Sequence, residues 1–163
     1  MTPEDFSEIM KNVKKRKLRK IGAGAHGEIY KMCGTPYAVK FLNPSVFPEN
    51  RLAQAVLGIE YFLQKRLYDN NVSVPKPIGI MGVYHPKYRE FRPGLIMEEI
   101  QTSLLSRILN SGKIRVGWHE EVEKANSKGI VVYDSSPQHN TMWDKVRKKV
   151  VLHDCISWRE EVK

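Results

Sequence analysis

Apolar residues along this chain fall first into short alternating runs and then into a longer run with helical spacing. Glu28-Ile29-Tyr30-Lys31-Met32 and Pro36-Tyr37-Ala38-Val39-Lys40-Phe41 alternate in the manner of strands, and Gly34-Thr35-Pro36 predicts the turn between them. Upstream, Val13, Leu18 and Ile21 are the only apolar residues between positions 11 and 21, enough to seat one face of a first strand. Leu52, Val56, Ile59, Leu63 and Leu67 recur at steps of three or four, which predicts a helix over Arg51–Asp69 ended by Asn70-Asn71. Val74-Pro75-Lys76-Pro77 forces an extended segment, because the residue before each proline is steered out of the helical region. Ile78–Tyr84 and Gly94–Met97 read as two further strands joined by a polar hairpin. Five strands and one helix make a sheet-plus-helix lobe of about 100 residues.

Beyond Glu98 the texture changes. Leu104, Leu105 and Ile108 suggest a short helix, Ser111-Gly112 a break, and Val116–Lys128 a second helix. Gly129-Ile130-Val131-Val132 reads as a buried strand. Thr141-Met142-Trp143 and Val150-Val151-Leu152 read as a hairpin across the charged turn Asp144–Lys149. Trp118, Trp143 and Trp158 are expected in the core; exposed, they would mark a partner surface.

Composition narrows the function classes. The 163 residues, 41% hydrophobic and 28% charged, can build a core, and no apolar stretch reaches the length of a membrane span. Two cysteines make no disulfide framework, which points to a reducing, cytoplasmic setting. The net charge of +9 favours anionic partners: nucleotides, phosphorylated substrates, nucleic acid or an acidic protein face. Seven of the ten residues from Lys11 to Lys20 are basic, either a solvated strand face or a nucleic-acid patch.

The strongest local signal is Ile21-Gly22-Ala23-Gly24-Ala25-His26-Gly27-Glu28-Ile29, whose glycines let backbone N–H groups approach phosphate oxygens. A dinucleotide fingerprint would need a helix after the glycines, whereas Glu28-Ile29-Tyr30 continues as strand; a hairpin covering phosphates fits better. Thirteen positions after Gly27, Lys40 emerges from an apolar strand, where an ammonium is costly unless it meets anions. Twenty positions further, Glu60 on the helix could supply such a partner.

These residues resemble the protein-kinase-like superfamily over roughly Ile21 to Asp154, in particular RIO-type and other small atypical or viral and effector-type kinases. Gly22, Gly24, Gly27 and Ile29 match its nucleotide-covering loop, and Ala38-Val39-Lys40 its third-strand lysine motif. Leu95-Ile96-Met97-Glu98-Glu99-Ile100 resembles the fifth strand and hinge, which implies Met97 as gatekeeper and the backbone of Glu98 and Ile100 against adenine. Gly129–Asp134 is similar to the lead-in to the catalytic loop, with Asp134 at the place of the catalytic carboxylate. Leu152-His153-Asp154 resembles the metal-binding segment, and Asn140, through a one-residue bulge past His139, takes the place of the metal-binding amide. The resemblance implies an α+β fold: a basic segment over 1–20, an N-lobe over 21–100 with a five-stranded antiparallel sheet and one helix, and a reduced, mostly helical C-lobe over 101–163.

What it implies chemically is an ATP- and Mg²⁺-dependent kinase that transfers phosphate to a hydroxyl of a protein or small molecule. Lys40, held by Glu60, would meet the α- and β-phosphates; Ile21, the glycines, Ala38 and Met97 would line the nucleotide; Asn140 and Asp154 would hold the metal; Asp134 would act as base. Val132-Tyr133 in place of His-Arg, Ser136 in place of a lysine and Cys155-Ile156 in place of Phe-Gly depart from the pattern. They keep open a pseudokinase or kinase mimic that regulates by contact. Few residues follow Asp154, so a homodimer or partner protein is expected to complete the C-lobe. No membrane partner is implied.

Overall fold

The computed structural model of the chain describes residues 17–102, 109–132, 141–153 and 159–160. These residues form an α+β structure with a five-stranded antiparallel sheet and two helices. In chain order they are β1 (Leu18–Ala23), β2 (Gly27–Met32), β3 (Tyr37–Leu42), α1 (Asn50–Asp69), β4 (Pro77–His85), β5 (Glu90–Glu98), α2 (Ser111–Ser127), β6 (Ile130–Val131), β7 (Thr141–Asp144), β8 (Lys149–Leu152) and β9 (Arg159–Glu160). Contacts divide them into two compact units. One holds the described residues up to Gly58 together with Ile78–Glu99; the other holds Ile59–Pro77 together with the described residues from Ile100 onward.

The first unit is built on the sheet, in the order β1-β2-β3-β5-β4. One face carries the core Tyr30, Met32, Val39, Phe41, Ile78, Met81, Val83 and Ile96. Gly94 belongs to this face by necessity: a Cβ there would stand 2.5 Å from Val39 Cγ2 and 3.2 Å from the Phe41 ring. Strand β5 begins four residues before the predicted Gly94 and runs through Pro93, but its pairing with β3 stops at Gly94. The imino nitrogen of Pro93 is therefore spared from that ladder. Positive φ at Gly34 (79°) closes the β2–β3 turn, where Thr35 donates both its amide and its hydroxyl to the Met32 carbonyl.

Helix α1 ends as Asn70-Asn71 predicts. Asn71 takes the left-handed conformation (φ 62°), its N–H bonds the Tyr68 carbonyl, and the Val72 N–H reaches back to the Leu67 carbonyl. Its buried stripe differs from the predicted one. Ala53, Leu57, Glu60, Gln64 and Leu67 are buried, with Leu63 beside them, while Leu52 and Ile59 are exposed. Two polar residues occupy the buried stripe, so the apolar pattern pointed one residue to the side.

The second unit packs Leu63, Leu67, Val72, Val74, Trp118, Ala125, Ile130 and Leu152 into a core. Polar side chains tie its connections down. Gln64 Nε2 donates to the Pro75 carbonyl at 2.7 Å, bracing the extended segment, and the Ser73 N–H donates to Glu121 Oε2 at 2.7 Å. Helix α2 starts at Ser111, so the predicted break at Ser111-Gly112 is a helix N-terminus instead; Gly112 lies in its first turn, where a glycine costs little. Gly129 (φ 73°) ends α2, and Arg66 Nη2 donates to the Lys128 carbonyl there. The predicted hairpin is present, with Thr141 opposite Leu152 and Trp143 opposite Val150. Strand β6 pairs with β9, a ladder the sequence pattern did not announce. The proposed short helix around Leu104, Leu105 and Ile108 lies outside the described residues. Among those residues, no helix is long and apolar enough to cross a membrane.

Candidate functional site

Register decides which predicted residues meet. Side chains alternate between the faces of a strand, and residues directly opposite on neighbouring strands share a face. Ile29 stands opposite Lys40, and Lys40 opposite Leu95; Lys31 stands opposite Ala38, and Ala38 opposite Met97. Gly22 pairs with Ile29. Gly22, Ile29, Ala38, Lys40 and Met97, predicted as base- and phosphate-facing positions, thus belong to the sheet face opposite the Tyr30–Phe41 core. Lys40 is only 4% exposed and its cross-strand neighbours are apolar.

The glycine segment forms the β1–β2 turn. The Gly24 N–H donates to the Gly27 carbonyl at 2.8 Å, and the Asn43 N–H, just past β3, donates to the His26 carbonyl at 2.8 Å. The three glycines have different reasons to be glycine. A Cβ on Gly27 would stand 2.3 Å from the Phe41 carbonyl oxygen, so the β2–β3 ladder itself requires it. A Cβ on Gly24 would meet nothing within 4 Å, and one on Gly22 would make only ordinary contact with Ile29 Cβ at 3.9 Å. Neither has positive φ. Packing and backbone conformation leave Gly22 and Gly24 unexplained. Ile21 is the extra residue of a bulge, since β1 advances from Lys20 to Gly22 while β2 retreats only from Tyr30 to Ile29.

The opposite face carries a polar cluster centred on Glu28. Glu28 accepts from Lys20 Nζ and, at 2.9 Å, from the Tyr30 hydroxyl, and His85 Nε2 lies 3.5 Å from Glu28 Oε2. Burial works to raise the Glu28 pKa, but the hydrogen bonds from Lys20 and Tyr30 outweigh it and hold the carboxyl below its ordinary value. Burial, reinforced by Glu28, pushes the Tyr30 phenol up to about 12. Burial also lowers the His85 pKa; Glu28 opposes that shift, while Arg92 and Lys87 add to it. The His85 ring lies tilted against Phe41 (centroids 4.5 Å apart, planes at 57°) and Tyr88 (4.6 Å, 50°).

At the end of β5, Glu99 is turned to the sheet: its N–H donates to the Pro36 carbonyl at 2.8 Å and its carboxylate accepts from Lys31 Nζ at 2.6 and 2.8 Å. The flanking Glu98 and Ile100 are half-buried. Glu60 is buried (1% exposed) within the stripe of α1, an unusual place for a helical glutamate. Asp134, Asn140 and Asp154 lie outside the described residues, as do His139, Ser136, Cys155 and Trp158 and the basic positions 11–16. Among the described residues, no group of three or more His, Cys, Asp or Glu side chains is arranged to hold a metal ion. Trp118 is in the core as expected, whereas Trp143 is half-buried.

No protein-family model matches this chain, and no curated protein matches it.

Proposed function

We propose that the chain is an ATP-dependent phosphotransferase of the protein-kinase-like type, moving the γ-phosphate to a hydroxyl acceptor. The observation that carries this reading is the shared sheet face of Gly22, Ile29, Ala38, Lys40 and Met97. Its apolar positions suit a purine, and the buried Lys40 ammonium suits phosphate oxygens. Gly22 and Gly24, which the fold does not require as glycine, allow backbone to close on the phosphates. Glu98 and Ile100 supply backbone groups to the adenine edge, and Glu60 keeps the role that the resemblance implies for it.

Phosphoryl transfer asks for positioning and charge neutralisation more than covalent help. Mg²⁺, when bound, supplies part of that neutralisation, and Asp154 and Asn140 offer the oxygen ligands it prefers. Asp134 orients the acceptor hydroxyl and takes its proton. These three assignments rest on the sequence pattern alone.

The test is phosphate transfer from labelled ATP in the presence of Mg²⁺. Turnover is expected in the native chain and absent in Asp134→Ala and Asp154→Ala, with unchanged thermal stability. Turnover that survives in both variants contradicts the assigned roles. Val132-Tyr133 and Cys155-Ile156 favour a second reading, a nucleotide-binding pseudokinase that acts on a partner by contact. Saturable ATP binding with no turnover in the native chain selects it.

A further inference from the structure

Helix α2 and the β7–β8 hairpin enclose a groove of about 430 Å³, entirely within the second unit and apart from the residues of the proposed nucleotide face. We infer that this groove docks an acidic peptide segment of a partner protein through one apolar or aromatic anchor residue.

Three observations point to an amphipathic anionic occupant. The apolar part of the groove is built from Val116, which is 60% exposed, and from Trp143, the one described tryptophan that the core does not absorb. Around it stand Lys113, Lys148 and Lys149, all exposed, with Lys113 Nζ 5.7 Å from the centre of the Trp143 ring. An apolar floor rimmed by ammonium groups complements a large apolar side chain flanked by carboxylates.

The helix glycines give the third observation. A Cβ on Gly117 would come within 2.7 Å of Val150 Cγ2, so this glycine lets the hairpin press against α2 and form the groove floor. Gly112 has no such reason, since a Cβ there would meet nothing within 4 Å, yet it also lines the groove. Its missing side chain leaves the mouth open. Of the two acids in the wall, Glu121 is already committed to the Ser73 N–H and, at 2.7 Å, to Lys124 Nζ. Exposed Glu120 remains, and it disfavours a nucleic acid, whose phosphates recur at every residue, more than a peptide whose acids can be spaced around it.

The test is fluorescence anisotropy with a labelled short polyglutamate peptide carrying one central phenylalanine. Controls are the same peptide with serine for phenylalanine, its polylysine counterpart, and an oligothymidylate. The phenylalanine–glutamate peptide is expected to bind, and amide resonances of Gly112, Val116, Gly117 and Val150 to shift on titration. Loss of the anchor, the exposed substitution Val116→Asp, and the paired exposed substitutions Lys113→Glu and Lys149→Glu should each weaken binding about tenfold or more. Circular dichroism melting of the variants should match the native chain. No binding of the anchored acidic peptide, tighter binding of the oligothymidylate, or resonance shifts confined to residues away from the groove would overturn the inference.

Discussion

Lys40 on β3 stands directly opposite Ile29 on β2, so the buried ammonium and the residue two positions past the glycine turn leave the sheet on one face. A one-residue slip in that register would send Lys40 into the Tyr30–Phe41 core instead. The proposed chemistry depends on this pairing.

The glycines of the β1–β2 turn separate under substitution. Gly27→Ala forces a Cβ against the Phe41 carbonyl and is expected to destabilise the fold by about 1–3 kcal/mol, read from chemical denaturation. Gly22→Ala and Gly24→Ala are expected to leave stability within about 0.5 kcal/mol of native while weakening ATP binding. Equal stability losses at all three positions would make the whole segment a folding feature.

The Glu28–Tyr30–His85 cluster sets a pH dependence. His85 titrates lower in the fold than in the unfolded chain, so its contribution is complete above its ordinary value of 6.5 and falls away as pH drops below it. Glu28, also lowered, adds a further loss as pH falls through its ordinary value of 4.5. Tyr30 acts in the other direction: its contribution is complete below 10 and is lost as pH rises toward about 12. Melting temperatures across pH should therefore decline on both sides of neutrality, and His85→Gln should flatten the decline between about pH 7 and 5. An unchanged slope in that variant would assign the acid loss elsewhere.

Glu121 is the polar tie between α2 and the segment after α1. Glu121→Ala leaves the buried Ser73 N–H without this acceptor and is expected to cost about 1–3 kcal/mol, measured by denaturant unfolding. A change near zero would show that water replaces the carboxylate.

Most of the sheet was legible because β2 and β4 alternate, β3 and β5 are apolar runs buried on both faces, and the glycine and proline punctuation between them is strong. The β7–β8 hairpin was legible as two short apolar runs across the charged turn Asp144–Lys149. Helix α1 was legible in extent but not in orientation. Its buried stripe contains Glu60 and Gln64, and the Gln64 bond to the Pro75 carbonyl that justifies a buried amide joins residues eleven positions apart. The start of β5 was hidden by Pro93, which lies just beyond the last residue of β5 paired with β3. Gly112 looked like a break because glycine disfavours helix interiors, whereas the first turn admits it. At the candidate site, the motif order gathered Gly22, Ile29, Ala38, Lys40 and Met97, but spacing could not separate Gly27, held by a backbone contact with β3, from the two glycines that the fold leaves unexplained.

The most direct measurement is calorimetric titration of the native chain and of Lys40→Met with ATP and Mg²⁺. One saturable site is expected in the native chain, with binding abolished or weakened at least about a hundredfold in the variant while it remains folded, as loss of a buried phosphate contact demands. Absence of binding to the native chain, or equal binding to both folded proteins, would contradict the assignment of this sheet face to a nucleotide.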